Sequence, residues 1–273
     1  MSLGAFLEAA PDVVEVRLAW VAGSAPREAG AAIYVSGTAS HGSIGGGRLE
    51  YRAIEAARAL LARGAMTQEI EMPLGPDIGQ CCGGRVRLHL RRMSEADRAA
   101  ARAAFEAEAA AQPHAYVLGA GHVGRALARH LALLPLRVVL VDGREAELAQ
   151  ASDGVEHCLS ALPEAEIDGA PPGSAFVVLT HDHGLDFLLA ARALARGDAA
   201  YVGMIGSATK RARFERWCRD AAGPETRALI CPIGAGTQGD KRPEVIAALT
   251  AAEMLGALLR QRTHRPAMPE ATR

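Results

Sequence analysis

Short runs in which apolar and polar residues alternate dominate the first third of the chain. Residues 13–22 and 31–35 are β-branched runs separated by GSAPREAG, and they predict two strands joined by a turn. Residues 67–73 and 85–92 alternate with a period of two and predict two more strands. Between these runs, apolar residues recur at helical spacing from Leu49 to Gly64, directly after the glycine cluster GSIGGG. The pattern predicts a small α+β domain over residues 1–93.

The pattern changes in the second half to apolar strands that alternate with helices. An alanine-rich stretch that opens with Ser94 and Asp97 predicts a linker helix over residues 94–113. From His114 the order is strand, glycine turn, helix, strand, and later apolar runs at 175–180 and 200–206 each precede a helical stretch. We therefore predict an α/β chain, with a C-terminal Rossmann-like doubly wound parallel sheet over residues 114–262 and a loose tail over 263–273.

Composition excludes several classes of function. The 273 residues favour two domains. Thirty Lys and Arg against 31 Asp and Glu give a net charge of -1, which argues against a dedicated nucleic-acid binder. The sequence shows neither a signal-peptide pattern nor a long apolar run, so we expect a cytoplasmic protein without membrane association. Five cysteines without CxxC spacing indicate reduced thiols rather than a disulfide framework.

The most specific motif is the glycine turn that follows the strand at His114. Gly119, Gly121 and Gly124 have the GxGxxG spacing of a dinucleotide turn, His122 lies inside the motif, and Asp142 ends the next strand. Backbone amides at such a helix start favour a phosphate, and the carboxylate is placed to accept hydrogen bonds from ribose hydroxyls. The alternative is the same turn without a nucleotide.

Two further loops in the N-terminal domain offer anion and metal chemistry. Ser43 and the glycines at 45–47 precede a helix, so their amides suit a phosphate, although a flexible turn explains the same residues. Cys81 and Cys82 are adjacent, too close for an unstrained mutual disulfide, and the glycines around them leave the thiols open to a soft metal. Packing as small core residues is the plain alternative for these cysteines.

The remaining candidates lie near strand ends and helix starts in the second half. THDHGLD places His181 and His183 at the carboxyl end of an apolar strand, where open α/β sheets bind ligands, while Asp182 alternatively caps the next helix. Only two of the basic residues are lysines, Lys210 and Lys241, and both lie in glycine-containing segments suited to anions.

Eight segments in one order resemble a known family. They are GSAPREAGA, HGSIGGGRLEY, LGPDIGQCCGG, GAGHVGRALA, VDGRE, THDHGLD, YVGMIGSATKRARF and GDKRPEVIA. Over about residues 12–256 the chain is similar to the xanthine dehydrogenase accessory protein family, XdhC/CoxI. One segment departs from the family, because its C-terminal loop commonly resembles GIGGK followed by x-P, whereas residues 237–243 here are TQGDKRP.

The resemblance implies a non-catalytic chaperone for the molybdenum cofactor (molybdopterin). Such a protein protects the cofactor while a cysteine desulfurase supplies its sulfido ligand, and it then inserts the cofactor into apo xanthine dehydrogenase. Molybdenum cofactor biosynthesis proteins are implied as further partners, and a homodimer is left open. Cys81 is the candidate molybdenum contact. The expected cofactor-binding residues are Ser43, Gly45, Gly46, Gly47, Cys81, Cys82, Gly119, Gly121, His122, Gly124, Asp142, His181, His183, Lys210 and Lys241.

Two other functions remain open from the residues alone. The first is an NAD(P)-dependent oxidoreductase that uses the glycine turn and Asp142, with His122 or Lys210 as the acid. The second is a module that senses or transfers a nucleotide. A nucleotide at the Rossmann turn is compatible with the chaperone as well, since the sequence leaves open whether the cargo is the bare pterin or its dinucleotide form.

Overall fold

A computed structural model describes residues 2–75, 83–234 and 239–264 of the chain. The chain folds into two units, residues 1–110 (the N-terminal unit) and 111–273 (the Rossmann unit). Within the described ranges, no helix has the length and apolar character needed to cross a bilayer.

The N-terminal unit is an antiparallel sheet with helices packed on it. Its elements are α1 (Leu3–Ala9), β1 (Val14–Ala22), β2 (Ala32–Val35), β3 (Ser40–Gly42), α2 (Gly47–Ala62), β4 (Thr67–Pro73), β5 (Arg85–Arg92) and α3 (Glu95–Ala110). The strand order is β3-β2-β1-β5-β4. Alternate residues of β1 and β5 are buried against one stripe of α2, as their period-two pattern requires.

Helix α3, which follows β5, packs within the N-terminal unit. Its Arg98 is 7% exposed, and its guanidinium donates hydrogen bonds to the carbonyls of Leu7 and Ala10 at 2.7 and 2.8 Å. These carbonyls lie at the end of α1, where a helix leaves its last carbonyls without intrahelical partners. A buried arginine therefore joins the first and last helices of this unit.

The Rossmann unit confirms the predicted parallel sheet. Its elements are β6 (His114–Leu118), α4 (His122–Leu131), β7 (Arg137–Asp142), α5 (Glu145–Leu148), β8 (Glu156–Leu159), α6 (Pro163–Gly169), β9 (Ala175–Val178), α7 (His183–Ala195), β10 (Tyr201–Met204), α8 (Ala208–Asp220), β11 (Leu229–Ile230) and α9 (Pro243–His264). The order β11-β10-β9-β6-β7-β8 reverses direction between β6 and β9, so a crevice is expected at that point.

Both faces of this sheet are covered by helices. Successive residues of β6 contribute to opposite cores: Ala115 and Val117 pack with residues of α4 and α9, and Tyr116 and Leu118 pack with residues of α7 and α8. Burial on both faces explains why these strands are continuously apolar instead of alternating.

Candidate functional site

The three glycines of the Rossmann turn have different structural roles. Gly119 has φ +125°, and a Cβ atom there would lie 2.4 Å from the carbonyl oxygen of Leu179. At Gly124 a Cβ would lie 1.9 Å from the carbonyl oxygen of Gly119, so α4 packs too closely on the turn for any side chain. A Cβ at Gly121, by contrast, would meet no atom within 4 Å. The first and third glycines make the turn, and the second leaves room for a ligand against the backbone.

Asp142 holds this turn in place. Its Oδ2 accepts hydrogen bonds from the amide of Ala120 at 2.7 Å and from Nη2 of Arg144 at 2.9 Å. Its Oδ1 accepts from the amide and Nε of Arg144 at 3.0 and 2.9 Å. A carboxylate has about four acceptor sites, so a ribose hydroxyl would have to displace one of these donors.

The electrostatics of Asp142 agree with that geometry. Burial by itself would raise the pKa of this carboxyl, but the hydrogen bonds from the Arg144 side chain and from the amides of Ala120 and Arg144 outweigh it. The pKa of Asp142 therefore lies below its ordinary value, and the group is a carboxylate at neutral pH. The sequence pattern did not single out the partner Arg144, although it follows Asp142 by two positions in VDGRE.

A crevice of about 340 Å³ opens beside this turn, at the carboxyl ends of β6, β7 and β9. Its size is near the lower end of the range for small-molecule sites. Backbone and side chains around it include Gly119, Asp142, Arg144, Ser160 and His181. The crevice therefore combines the glycine turn, one guanidinium and one imidazole at the position where doubly wound sheets bind ligands.

The segment after β9 separates the two predicted histidines. His181 lines the crevice, whereas His183 lines a different pocket beside α8. Asp182 caps α7 by accepting hydrogen bonds from the amides of Gly184 and Leu185 at 2.6 and 3.0 Å, and these amides lower its pKa. Across the described ranges, no group of three or more His, Cys, Asp or Glu side chains is arranged to hold a metal ion.

The two lysines have unlike environments. Lys210 lies in the first turn of α8, and its ammonium donates to Oδ2 of the buried Asp186. The other oxygen of Asp186 accepts from the amide and hydroxyl of Thr180 at 2.9 and 2.8 Å. Lys241, in contrast, is exposed just before α9. The structure thus places Lys210, but not Lys241, in a network at the end of β9.

In the N-terminal unit, the predicted phosphate loop holds a carboxylate of its own chain. One oxygen of Glu50 accepts hydrogen bonds from the Ser43 hydroxyl at 2.6 Å and from the amides of Ile44 and Gly46, both at 3.1 Å. The loop therefore does form an anion-binding nest, and Glu50, in the first turn of α2, occupies it. The glycine pattern did not point to Glu50, which follows Gly46 by four residues.

Three loops of the N-terminal unit converge near this nest. At Gly45, where φ is +125°, a Cβ would lie 2.6 Å from Cβ of Pro26, so the loops that contain these residues are in contact. Ser24, in the same loop as Pro26, forms a β-bridge with Gly83, the first described residue after the cysteine pair. Cys81 and Cys82 themselves lie outside the described residues.

Comparisons with known proteins agree with this architecture. The family model described as the XdhC Rossmann domain matches residues 115–254, and the model described as the XdhC and CoxI family matches residues 6–71. The chain belongs to the XdhC and CoxI family. Comparison with curated proteins finds no match.

A solved structure shares the fold of this XdhC/CoxI protein. It is described as a xanthine dehydrogenase from Bacillus halodurans, and it superposes with a TM-score of 0.80 over 98% of each chain at 17% sequence identity. The crevice residues and Lys210 lie within the range matched by the Rossmann model, and Ser43 with its glycines lies within the other match. The cysteine pair falls between the two matched ranges.

Proposed function

We propose that this XdhC/CoxI protein is a non-catalytic accessory protein that carries the molybdenum cofactor to xanthine dehydrogenase. In this role it binds the molybdopterin as cargo, protects it while a cysteine desulfurase supplies the terminal sulfur, and delivers it to the apo enzyme. Family membership supports the association with xanthine dehydrogenase. The cargo, the sulfuration step and the delivery are our inference from residue chemistry.

The observation that carries this proposal is the convergence of loops in the N-terminal unit. Pro26 contacts Gly45, and Ser24 bridges Gly83, so the loop of Ser24 and Pro26 touches both the glycine loop and the residue that follows the cysteine pair. Leu74 and the glycines at 83–84 close the base of that segment through two hydrogen bonds of 2.8 Å. Thiolates are soft ligands suited to a molybdenum centre, and backbone amides suit the cargo's phosphate. An anion nest that now holds Glu50, and a neighbouring loop that meets the residue directly after Cys82, are the observations that support this cargo.

The Rossmann crevice is a separate candidate site for an anion. The amides at the start of α4 lack intrahelical acceptors by the geometry of a helix, and Gly121 leaves them approachable. The crevice also contains the guanidinium of Arg144, which is held by Asp142 and 38% exposed. These groups can bind and orient an anion without reacting with it, as expected for a carrier that releases its cargo to another protein.

Purification from cells that make the cofactor tests the proposal. We expect the wild-type chain to retain a pterin, measured as its fluorescent oxidation product, and to restore activity to apo xanthine dehydrogenase. Cys81→Ala should lose most of both, whereas the control Cys158→Ser, in β8 of the Rossmann unit, should keep them. Absence of pterin from the wild-type chain, or equal loading of Cys81→Ala, would contradict the assigned role.

An NAD(P)-dependent oxidoreductase is the second candidate, and the GxGxxG turn in a 3-2-1-4-5-6 sheet is the observation in its favour. The saturated carboxylate of Asp142 argues against the usual ribose contact. A titration with NADH separates the two functions. Tight binding of NADH together with turnover of a carbonyl substrate would establish the oxidoreductase function and exclude the carrier function.

A further inference from the structure

A second pocket in the Rossmann unit shares no lining residue with the crevice. It has a volume of about 510 Å³ and lies between the start of α7 and the face of α8 that extends from Ser207 to Trp217. Its principal side chains are those of His183, Phe187, Ser207, Lys210, Arg213 and Trp217. A volume of this size accommodates a small organic molecule rather than a bare ion.

The uncompensated positive charge at this pocket is that of Arg213, because the buried Asp186 balances the charge of Lys210. Lys210 and Arg213 both line it, and its described lining includes no carboxylate. Lys210, Arg213 and Trp217 follow one another at intervals of three and four residues in α8, so they share one face of that helix. Among the described residues, Arg213 is exposed and has no ion-pair partner. Its charge is therefore available to a ligand.

Among the three residues on this face of α8, Lys210 is held in place by a buried ion pair. Its side chain is 12% exposed, and its ammonium contacts Asp186, whose side chain is 1% exposed. A Cβ at Gly206 would lie 2.7 Å from Cδ of Lys210, so glycine is what lets the lysine stem lie across the loop after β10. An ammonium has three donors, and the contact with Asp186 accounts for one of them. The Lys210 ammonium therefore lies at the pocket in a fixed position, and its other N–H groups remain available to donate hydrogen bonds to a ligand.

The pocket also has an aromatic part, formed by Phe187 of α7 and Trp217 of α8. The rings of Phe187 and Trp217 lie 5.9 Å apart and are tilted by 49°. Both rings pack against Phe214, which is fully buried, at 5.3 and 6.2 Å. Aromatic side chains held in this way offer a fixed apolar surface for another ring.

We propose that this pocket binds a planar heteroaromatic ring that carries a phosphate or carboxylate, with the ring against Phe187 and Trp217 and the anion at Lys210 and Arg213. The pocket shares no lining residue with the crevice. A purine nucleotide bound there would be independent of the cargo proposed above, whereas a pterin would make the pocket part of the binding site for that cargo. Two sources share the chemistry, a purine nucleotide and a pterin. Both place a flat, partly polar ring beside a negative group, which is the combination that the pocket matches.

Calorimetric titrations with two pairs of probes test the charge requirement. Each pair consists of an anionic ligand and its neutral counterpart: GMP with guanosine, and pterin-6-carboxylate with pterin. We expect at least one anion to bind below about 1 mM and at least about tenfold more tightly than its counterpart. The pair that shows this difference identifies the source. Equal affinity within both pairs, or no binding of either anion, would overturn the proposal.

Variants on α8 locate the binding. Arg213→Gln removes an exposed charge and should weaken anion binding at least about tenfold. Arg219→Gln removes the same charge from an exposed position of α8 that does not line the pocket, so it should leave binding unchanged. In a Trp20→Phe background, Trp217 is the remaining tryptophan, and ligand binding should quench its fluorescence. An unchanged affinity in Arg213→Gln, or binding without quenching, places the ligand elsewhere and refutes the assignment.

Discussion

Removing Lys210 alone from the buried Asp186–Lys210 pair should destabilise the Rossmann unit more than removing both charges. The two side chains are 1% and 12% exposed. Lys210→Met preserves the length and apolar stem of the lysine, and Asp186 then keeps only the two donors of Thr180. An unpaired charge left in such a site costs about 3–5 kcal/mol. For a unit of this size that corresponds to a fall of roughly 6–20 °C in Tm.

The other two members of the cycle have different expected costs. Asp186→Asn retains an oxygen for Thr180, and Lys210 is close enough to the surface to recover water, so we expect a loss of about 1–3 kcal/mol. In the Asp186→Asn, Lys210→Met double variant no buried charge is left without a partner. We therefore expect it to be more stable than Lys210→Met alone, which requires a coupling energy that exceeds the cost of Asp186→Asn and reaches about 2–3 kcal/mol.

Urea denaturation followed by tryptophan fluorescence measures each free energy in the cycle. In a Trp20→Phe background the signal comes from Trp217, which lies in the Rossmann unit, so unfolding of the other unit does not contribute. The exposed pair formed by Arg192 and Asp168 is the control, and Arg192→Gln should leave the midpoint nearly unchanged. The reasoning is refuted if Lys210→Met costs less than about 1 kcal/mol or if the two single losses simply add.

The glycine turns and the buried carboxylates give three more expected outcomes. Gly124→Ala should lower the Tm of the Rossmann unit by several degrees because its Cβ would lie 1.9 Å from a backbone oxygen, whereas Gly121→Ala, with no atom within 4 Å, should leave the Tm nearly unchanged; equal effects in a thermal melt would contradict this geometry. Glu50→Gln should destabilise the N-terminal unit by about 1–3 kcal/mol, because the nest of three donors loses its carboxylate; an unchanged urea midpoint would contradict this. The stability difference between wild type and Asp142→Asn should be constant at neutral pH and shrink as the pH falls below 3.8, because the carboxylate's pKa is lowered by folding; acid denaturation curves that stay parallel to low pH would show otherwise.

The long, regular elements were predictable from sequence, and the short ones were not. The strands at 67–73 and 85–92 and the helix α2 carry several repeats of their own period, and the structure confirms them. Strand β11 has two residues and β3 has three, which is too few for any period to be seen. Such strands form because a neighbour offers a ladder of hydrogen bonds, as β10 does for β11. That information is not local in the sequence.

In the candidate site, too, some features were predictable from the sequence and others were not. The glycine spacing predicted the turn at Gly119, since each glycine meets a steric demand made by nearby residues. The fixed role of Asp142 depends on the rotamer of Arg144, which no spacing rule specifies. The positions of Lys210, Arg213 and Trp217 on one helical face are visible in the sequence. Their pocket is not, because its opposite wall comes from α7.

The position of Glu50 in its glycine nest makes anion binding there an exchange reaction. An incoming phosphate gains the amides of Ile44 and Gly46 only as the resident carboxylate leaves them, so the net affinity is the difference between two similar contacts. Because Glu50 can return to the nest, the loop keeps its hydrogen bonds and its fold after the phosphate leaves. In the role proposed above, loading and release of the cargo would then have comparable free energies, and the direction of transfer would depend on the concentration of the cargo and on the protein that competes for it.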